Sequence, residues 1–459
     1  MTPMIPVAMF GWLPFSIWLF TRLQARHAVI AGFLLSWMFL PQYAYNFSGI
    51  PDYTKVSAMS YGVLLGTLFF NSEALSRFRP HALDLPLIIW CVIPFFTSLS
   101  NGLGAYDGLS TTLARSTMWG LPYFIGRLYF YNRQALTELA FGIFLGGLIY
   151  IPFCLWEVVM SPRLHRLVYG FHPHSFGQTK RGGGWRPVVF MEHGLMVAMW
   201  MVTAWLSGYQ LLRSGWLARK FPQWKQLWGP LVLGLLVTVV LCKSTGALGL
   251  LVFGVFVLYL VQLTRWALPM KAILLIPILY VLARGSGYWD AQNLIDAAAR
   301  IASEDRTASL AYRLQNENIL SERALERAWL GWGEWGRSFV RDEDGRPISV
   351  PDGLWILAFG QNGLIGLSAL LVTLLLPPLL FLIRYPPRRW RDPPVAAMTS
   401  LPLLMGLFTI DSLFNAMFNP LILILAGGLT GLWLEGPESD TESTGGMAPR
   451  PVEPRTRLF

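Results

Sequence analysis

The chain has 459 residues, 54% of them hydrophobic and only 14% charged, with a formal charge of +10. A soluble domain carries about 45–50% apolar and about 25% charged residues, so an ordinary water-soluble fold is excluded and the surplus apolar surface requires lipid. The basic residues are scattered through short loops and not gathered into a patch with exposed aromatics, which argues against nucleic acid and marks them as topology signals.

Apolar runs between charged or Pro/Gly-rich breaks predict about 12 or 13 spanning helices, each needing roughly 20 residues unless short or re-entrant. The first two, 5 to 20 and 28 to 42, are short enough to form one hairpin. Arg22 and Arg26 follow the first run and do not precede it, so it reads as a retained helix and not as a signal peptide. Runs at 56 to 71, 83 to 99 and 110 to 126 come next, the last containing Arg115. Runs at 139 to 160 and 187 to 212 bracket a connection that holds His165, His172 and His174. Their spacing fits no zinc pattern and no carboxylate lies among them, so no metal site is predicted. The connection ends in Lys180-Arg181-Gly182-Gly183-Gly184-Trp185-Arg186-Pro187, three cations around three glycines at the mouth of the next helix. Glycines let backbone N–H groups approach an anion and a helix N-terminus adds a favourable dipole; a flexible loop with stop-transfer charges is the plainer alternative. Glu192 and His193 follow.

Runs at 230 to 242, 246 to 263 and 267 to 283 come next, with Lys243 between the first two, and lead to the longest connection, 284 to 352. It has nine Arg, no Lys and twelve acidic residues. From Thr307 to Trp329 it contains good helix formers and neither Pro nor Gly, with Leu310 and Leu314 in register, which predicts an amphipathic helix resting on the bundle and broken at Gly331. Arg323 and Arg327, beside Glu322 and Glu326, read as a solvated face. Runs at 353 to 383, 396 to 413 and 417 to 434 complete the bundle. Asp411, Asn415 and Asn419 recur every four residues and are expected on one helical face, turned away from lipid. The segment from Glu435, rich in Pro, Ser, Thr and Glu, reads as a disordered cytoplasmic tail. Cys91, Cys154 and Cys242 fall in or at the edge of apolar runs and suggest neither a disulfide framework nor a CxxC site.

Short-loop Lys and Arg are retained in the cytoplasm. Arg77 and Arg79, then Arg213, Arg219, Lys220 and Lys225, then Arg384, Arg388, Arg389 and Arg391 mark cytoplasmic connections, so the loops at about 43 to 55, 100 to 109, 161 to 186 and 284 to 352 are expected outside. Long loops translocate largely regardless of charge, so the arginines of the last do not contradict this. Ionisable groups in spanning segments are functional candidates by default. On this topology Arg115, Glu157, Arg186, Glu192, His193, Lys243, Asp352 and Asp411 all lie near the outer helix ends, as snorkelling or as a shared site.

Pro351-Asp352-Gly353-Leu354-Trp355-Ile356-Leu357-Ala358-Phe359-Gly360-Gln361-Asn362-Gly363-Leu364-Ile365-Gly366 resembles the signature of the bacterial O-antigen ligase and polymerase family. There a polar residue ends the large periplasmic loop and a Gly-Leu-x-Gly segment follows on the next helix. Leu310 to Trp335, with Arg313 and Leu330-Gly331-Trp332-Gly333, looks like that family's loop end. Arg186 to Gly194 and Lys243-Ser244-Thr245-Gly246-Ala247 are similar too, and the resemblance covers roughly 180 to 380. It implies an all-α, polytopic bundle similar to the GT-C class, with a metal-independent site under the periplasmic loop and no cofactor. One position departs: where the ligases have a histidine eleven residues before Gly363, this chain has Asp352, which favours a polymerase or divergent transferase over a strict ligase.

The expected organisation is an N-terminal bundle over 1–283, a periplasmic loop over 284–352, C-terminal helices over 353–434 and the tail over 435–459. The expected setting is the bacterial inner membrane. The expected partners are a polyprenyl diphosphate-linked glycan, a saccharide or lipid acceptor, membrane lipids and other polysaccharide-assembly proteins, but no nucleic acid. Transfer from such a carrier needs cations for the leaving diphosphate and a base for the acceptor hydroxyl. Arg186, Arg313, Arg115 and Lys243 are assigned to the diphosphate, Asp352 to the base with Glu192 or His193 behind it, and Arg181 and Asp411 to the cavity. A flippase for the same lipid or a non-catalytic envelope scaffold are the competing classes. A flippase usually shows internal repeats and helices broken at the midplane.

Overall fold

The computed structural model describes residues 2–47, 51–301 and 304–436, so the predicted tail lies outside the described residues except for Glu435 and Gly436. Helices α1 (Met4–Arg22), α2 (Ala25–Phe39) and α3 (Lys55–Phe70) open the chain, with a hairpin of β1 (Ala44–Tyr45) and β2 (Tyr53–Thr54) before α3. Then come α4 (Ser72–Arg77), α5 (Leu85–Ser100), α6 (Ala105–Arg115), a π turn over Ser116–Gly120, α7 (Leu121–Tyr129), α8 (Arg133–Met160) and α9 (Leu164–Tyr169). A second hairpin, β3 (Lys180–Arg181) with β4 (Gly184–Trp185), precedes α10 (Gly194–Arg213), α11 (Trp216–Lys220), α12 (Lys225–Leu241), α13 (Thr245–Thr264) and α14 (Leu268–Gly285). The long connection carries α15 (Gln292–Ile301) and α16 (Glu304–Leu325). It is followed by α17 (Leu354–Arg384), α18 (Pro393–Ala396), α19 (Ser400–Asp411) and α20 (Pro420–Leu434).

Among the described residues nine helices are long and apolar enough to cross a membrane, and α2, α3 and α20 are shorter apolar helices beside them. The protein is therefore an all-α, multi-pass membrane protein, as its composition demands. Several helix starts have a side-chain cap. Thr54 and Ser57 form a capping box on α3, Asn132 Oδ1 accepts from Ala135 N at 2.9 Å at the start of α8, and Ser244 and Asn419 cap α13 and α20.

Cross-links sort the connections into two ends. At one end Arg26 pairs with Glu138 (3.0 Å), Arg127 pairs with Asp84 (3.0 Å), Gln210 reaches Thr399 (2.8 Å) and Arg391 reaches the Gln262 carbonyl (2.9 Å). At the other, Gln42 N–H meets His165 (3.2 Å), Lys55 meets the Phe190 carbonyl (3.0 Å), Arg186 meets the Lys243 carbonyl (3.1 Å) and Thr97 meets the Leu330 carbonyl (2.7 Å). The first is the basic end and the second the loop-bearing end.

Two expectations about helices are corrected. The run at 353 to 383 forms one element, but Gly363 sits inside it at φ 62, ψ −165, a conformation essentially confined to glycine, so α17 is two half-helices across a break. The long connection fills that break. Trp332 and Gly333 donate to the Gly360 and Gln361 carbonyls at 2.8 and 3.0 Å, while Leu364 donates to the Ala328 carbonyl at 2.7 Å. Backbone groups freed by the kink are thereby paired, as a low-dielectric setting requires. Second, Asp411, Asn415 and Asn419 do not share a helical face. Helix α19 ends at Asp411, Asn415 lies in the connection and donates to Asp411 Oδ1 at 2.9 Å, and Asn419 caps the next helix. Four-residue spacing carries no facial meaning where the chain is not helical.

The amphipathic helix of the long connection is present as α16, beginning at Glu304 and ending at Leu325, short of Trp329. It buries Leu314, Glu317, Ser321 and Ala324, one stripe at helical spacing. Glu317 clamps it to the bundle. Its carboxylate takes Arg284 Nε (3.2 Å), the Tyr280 hydroxyl (2.7 Å) and Trp355 Nε1 (3.3 Å), while Arg284 also donates to Asn318 Oδ1 and to the Trp289 and Leu314 carbonyls. Burial pushes the Glu317 carboxyl up, and these donors oppose the shift. Arg323 and Arg327 are not simply solvated: both stack on Trp332, at 3.4 and 4.7 Å from its ring centre, and Arg323 pairs with Glu326.

Candidate anion site at the loop-bearing end

The glycine-rich motif folds as the β3–β4 hairpin, Lys180 opposite Trp185 and Arg181 opposite Gly184. Gly182 and Gly183 form its two-residue turn at φ 52 and 69, the positive values that a type I′ turn requires. The glycines thus serve a hairpin and not the mouth of a helix. Helix α10 does not begin at 187, because Val189 sits at φ 52, outside the right-handed helix, and Glu157 holds the Val188 and Val189 amides at 2.7 Å each. Glu157 takes Leu164 N–H as well, at 2.9 Å, so this intramembrane carboxylate staples the connection to α8 and is not available to a ligand.

Placed by that staple, Arg186 is 7% exposed and donates through Nη2 to the Lys243 carbonyl at 3.1 Å, while its buried Nε has no partner among the described residues. Burial first, then the neighbouring Arg181 and Arg313, lowers its pKa to about 10. Lys243 turns the chain between α12 and α13 at φ 50 and lays its ammonium against the hairpin: a Cβ on Gly184 would stand 2.0 Å from Lys243 Nζ.

The long connection brings the rest. Arg313, on α16, pairs through Nε with Asp352 Oδ2 at 3.4 Å, both side chains about one-third exposed. Burial raises the Asp352 carboxyl above its ordinary range, with Arg313 opposing. Asp352 is pinned in place because its carbonyl accepts from Ala416 N at 2.6 Å and Leu354 N donates to the Ser412 carbonyl at 2.8 Å. A Cβ on Gly353 would collide with the Leu413 carbonyl at 2.2 Å, so only glycine lets the two strands lie this close. Arg313 is also within electrostatic reach of Asp411 and His193. The structure therefore brings together Arg181, Arg186, Lys243 and Arg313 with Asp352 and Asp411, a positive excess where α10, α13, α16, α17 and α19 meet.

His193 borders this group as the cap of α10. Its Nδ1 accepts from Leu195 N at 3.0 Å, which leaves the proton on Nε2, facing Gln178 Oε1 at 3.2 Å. Burial, then His174, Arg186, Arg181 and Arg313, pushes its pKa down to about 4. A neutral histidine whose one lone pair caps a helix is a poor general base. His165 is similarly committed, between Gln42 N–H (3.2 Å) and the Phe171 carbonyl (2.8 Å).

Two predicted site residues stand apart. Arg115 stacks on Trp90, 4.2 Å from the ring centre, and donates to Asn362 Oδ1 at 2.5 Å and Gln361 Oε1 at 3.5 Å. It faces a recess of about 400 Å³ shared with Thr111, Glu334 and Trp335. Glu192 is exposed and borders a cleft of about 650 Å³ with Lys55, Asp52 and Thr111. A recess of about 730 Å³ lies at the basic end among Arg77, Arg79, Arg127 and Arg133, away from the candidate chemistry. Sequence reasoning did not single out Lys55, Arg284 or Glu317. The signal for Arg284 was a cation closing an apolar run; Glu317 had none beyond its place on the buried stripe of α16. Comparison of the sequence with protein-family models and with curated proteins gives no match.

Proposed function

We propose that the protein is a metal-independent glycosyltransferase of cell-surface polysaccharide assembly. It transfers glycan from a polyprenyl diphosphate to an acceptor hydroxyl at the periplasmic face of the bacterial inner membrane, a polymerase in preference to a ligase, on a GT-C-like bundle. The observation that carries this reading is the convergence of Arg186, Arg181, Lys243 and Arg313 around the Arg313–Asp352 pair. A diphosphate offers oxygens to several guanidinium donors at once, and the unpartnered Nε of Arg186 gives one such donor.

In the step proposed, the acceptor oxygen bonds to the anomeric carbon as the bond from that carbon to the diphosphate oxygen breaks. The electron pair leaves with the diphosphate, whose added charge the arginines meet. The hydroxyl proton passes to Asp352. A carboxyl raised by burial is a better base than one in water, and Arg313 can turn from it to phosphate as the carrier arrives. Arg115 is dropped from the diphosphate set because it stacks on Trp90 and donates to Asn362 and Gln361 in a separate recess, apart from Arg186 and Arg313.

A flippase is the second reading, since α17 is a broken helix. The break argues weakly for it, because residues 328–333 occupy the freed backbone groups and leave no open helix end for a ligand.

The test uses full-length protein in proteoliposomes with lipid-linked oligosaccharide extracted from its own host. Arg186→Ala is expected to lower transfer by about 10²-fold or more, and Asp352→Asn to abolish its low-pH limb along with most activity, both variants staying folded. Full glycan synthesis by both variants refutes the assignment, and leaflet exchange without new linkages identifies a flippase.

A further inference from the structure

The 650 Å³ cleft beside Glu192 is built differently from the arginine cluster. Its walls come from β1–β2, the start of α3, α6 and the π turn, and it presents hydroxyls and amides: Gln42, Thr54, Ser57, Ser110, Thr111 and Thr117. Asp52, Glu192 and Lys55 place both signs of charge along it, and Trp37, Tyr43 and Phe418 supply aromatic surface. Lys55 is only 3% exposed. Its ammonium donates to the Phe190 carbonyl at 3.0 Å and, with the Gln42 amide turned to suit its neighbours, to Gln42 oxygen at 3.2 Å. An ammonium has three donors; two are engaged in this way, and the Trp37 ring, which also lines the cleft, has its centre 5.6 Å from the nitrogen.

The lining discriminates among ligands. Thr54, Ser57, Thr111 and Thr117 already bond within the protein, but an acyl chain would cover the charged groups of Asp52, Glu192 and Lys55, at about 1–3 kcal/mol or more for each polar group left unpaired. A polyanion would meet Asp52 and Glu192. A ligand dense in hydroxyls, each both donor and acceptor, and with C–H faces for the aromatic rings satisfies hydroxyl, amide, carboxylate and ammonium groups together. Position adds to chemistry. Glu192 adjoins His193, and Pro173 adjoins His174, so the cleft opens beside the arginine cluster. At its other side Thr111 belongs both to this cleft and to the recess containing Arg115, Gln361 and the exposed Trp335.

We propose that this cleft is an oligosaccharide-binding groove which holds the acceptor glycan, its reactive end toward Glu192 and Arg186 and its body crossing α6 at Thr111. The assignment of the bound glycan as acceptor rests on the transferase reading above; the groove itself rests on its lining. Thr111 is a specificity-determining position on the groove floor, half-buried with its hydroxyl on the Asp107 carbonyl at 2.9 Å.

The experiment uses full-length protein in detergent and in proteoliposomes. The probe is the oligosaccharide released by mild acid from the host's own lipid-linked pool and labelled at its reducing end. Thr111→Trp is expected to weaken binding of the labelled oligosaccharide, and to raise its KM as acceptor, by about tenfold or more with a smaller change in kcat. Gly249→Ala, on α13 outside the cleft, is expected to behave as wild type, and bare polyprenyl diphosphate to bind Thr111→Trp as it binds wild type. Ser110→Trp provides a second obstruction should Thr111→Trp fail to fold. Wild-type protein that binds no oligosaccharide, or obstructed variants that bind it as tightly as wild type, overturn the groove. A wild type that binds the oligosaccharide in a Thr111-dependent way yet transfers none leaves the groove standing and refutes the transferase reading. Normal acceptor KM in Thr111→Trp does the reverse.

Discussion

Replacing Gly363 by alanine tests the lacing of the long connection into α17. At φ 62, ψ −165 an alanine carries strain of about 1–3 kcal/mol. Its Cβ would stand 2.3 Å from the Trp329 carbonyl carbon and oxygen and 2.6 Å from Leu330 N, all backbone atoms that cannot rotate aside. Ordinary contact is about 3.5–4.0 Å, so the inserted strip must retreat by roughly 1 Å. That takes the Leu364–Ala328, Trp332–Gly360 and Gly333–Gln361 bonds, at 2.7, 2.8 and 3.0 Å, to the limit of hydrogen bonding or past it. At about 1 kcal/mol for each bond, and more where a group is left unpaired, the total destabilisation is on the order of 4–6 kcal/mol. Thermal unfolding in detergent measures the loss, and amide hydrogen exchange at 328–333 and at Leu364 localises it. Gly249→Ala is the control, since no atom lies within 4 Å of its Cβ. An unchanged melting temperature in Gly363→Ala with undiminished protection of those amides refutes the interlock.

Glu317→Ala strands Arg284 in a pocket where both side chains are at most 3% exposed, and is expected to destabilise by about 3–5 kcal/mol and to release α16 to proteases, whereas Glu317→Gln retains part of the network. Unchanged proteolysis of Glu317→Ala removes the clamp from the argument. His193 and His165 both have pKa values depressed to about 4 in the fold, so the unfolded chain takes up more protons below about 6.5. Their contribution is whole above about 6.5 and is lost as pH falls toward 4, on the order of 3 kcal/mol each, and His165→Gln should flatten the acid limb of a stability profile. A profile that is level between pH 7 and 4 contradicts the burial of both rings.

The fold class was legible because the signal is cumulative: apolar runs survive misjudged ends, so α1, α8, α13 and α14 fall close to where hydropathy alone puts them. The division into two ends was legible for a similar reason, since Arg77, Arg213 and Arg384 each close a helix. The break at Gly363 was not, because a glycine in an apolar run reads as helix until a segment some thirty residues earlier is known to press against it. For the same reason the start of α10 was missed: it depends on Glu157, on another helix, holding the intervening amides. Within the candidate site, the convergence of Arg186, Lys243, Arg313 and Asp352 could be anticipated from a shared helix end. Arg115 shares that end but not that side of the bundle, and helix position alone does not report azimuth. Lys55 escaped notice because it stands at the edge of a run, where a cation ordinarily snorkels and here is buried.

The strip at 328–333 precedes α17 in the chain and so is synthesised first. When the helix emerges, the backbone that completes its kink is already made, and the partners of the Gly360, Gln361 and Leu364 groups are at hand. A circular permutant that delivers α17 before the connection reverses this order and leaves three polar backbone groups without these partners until the strip arrives. The gene order of loop and helix is then part of how the protein matures.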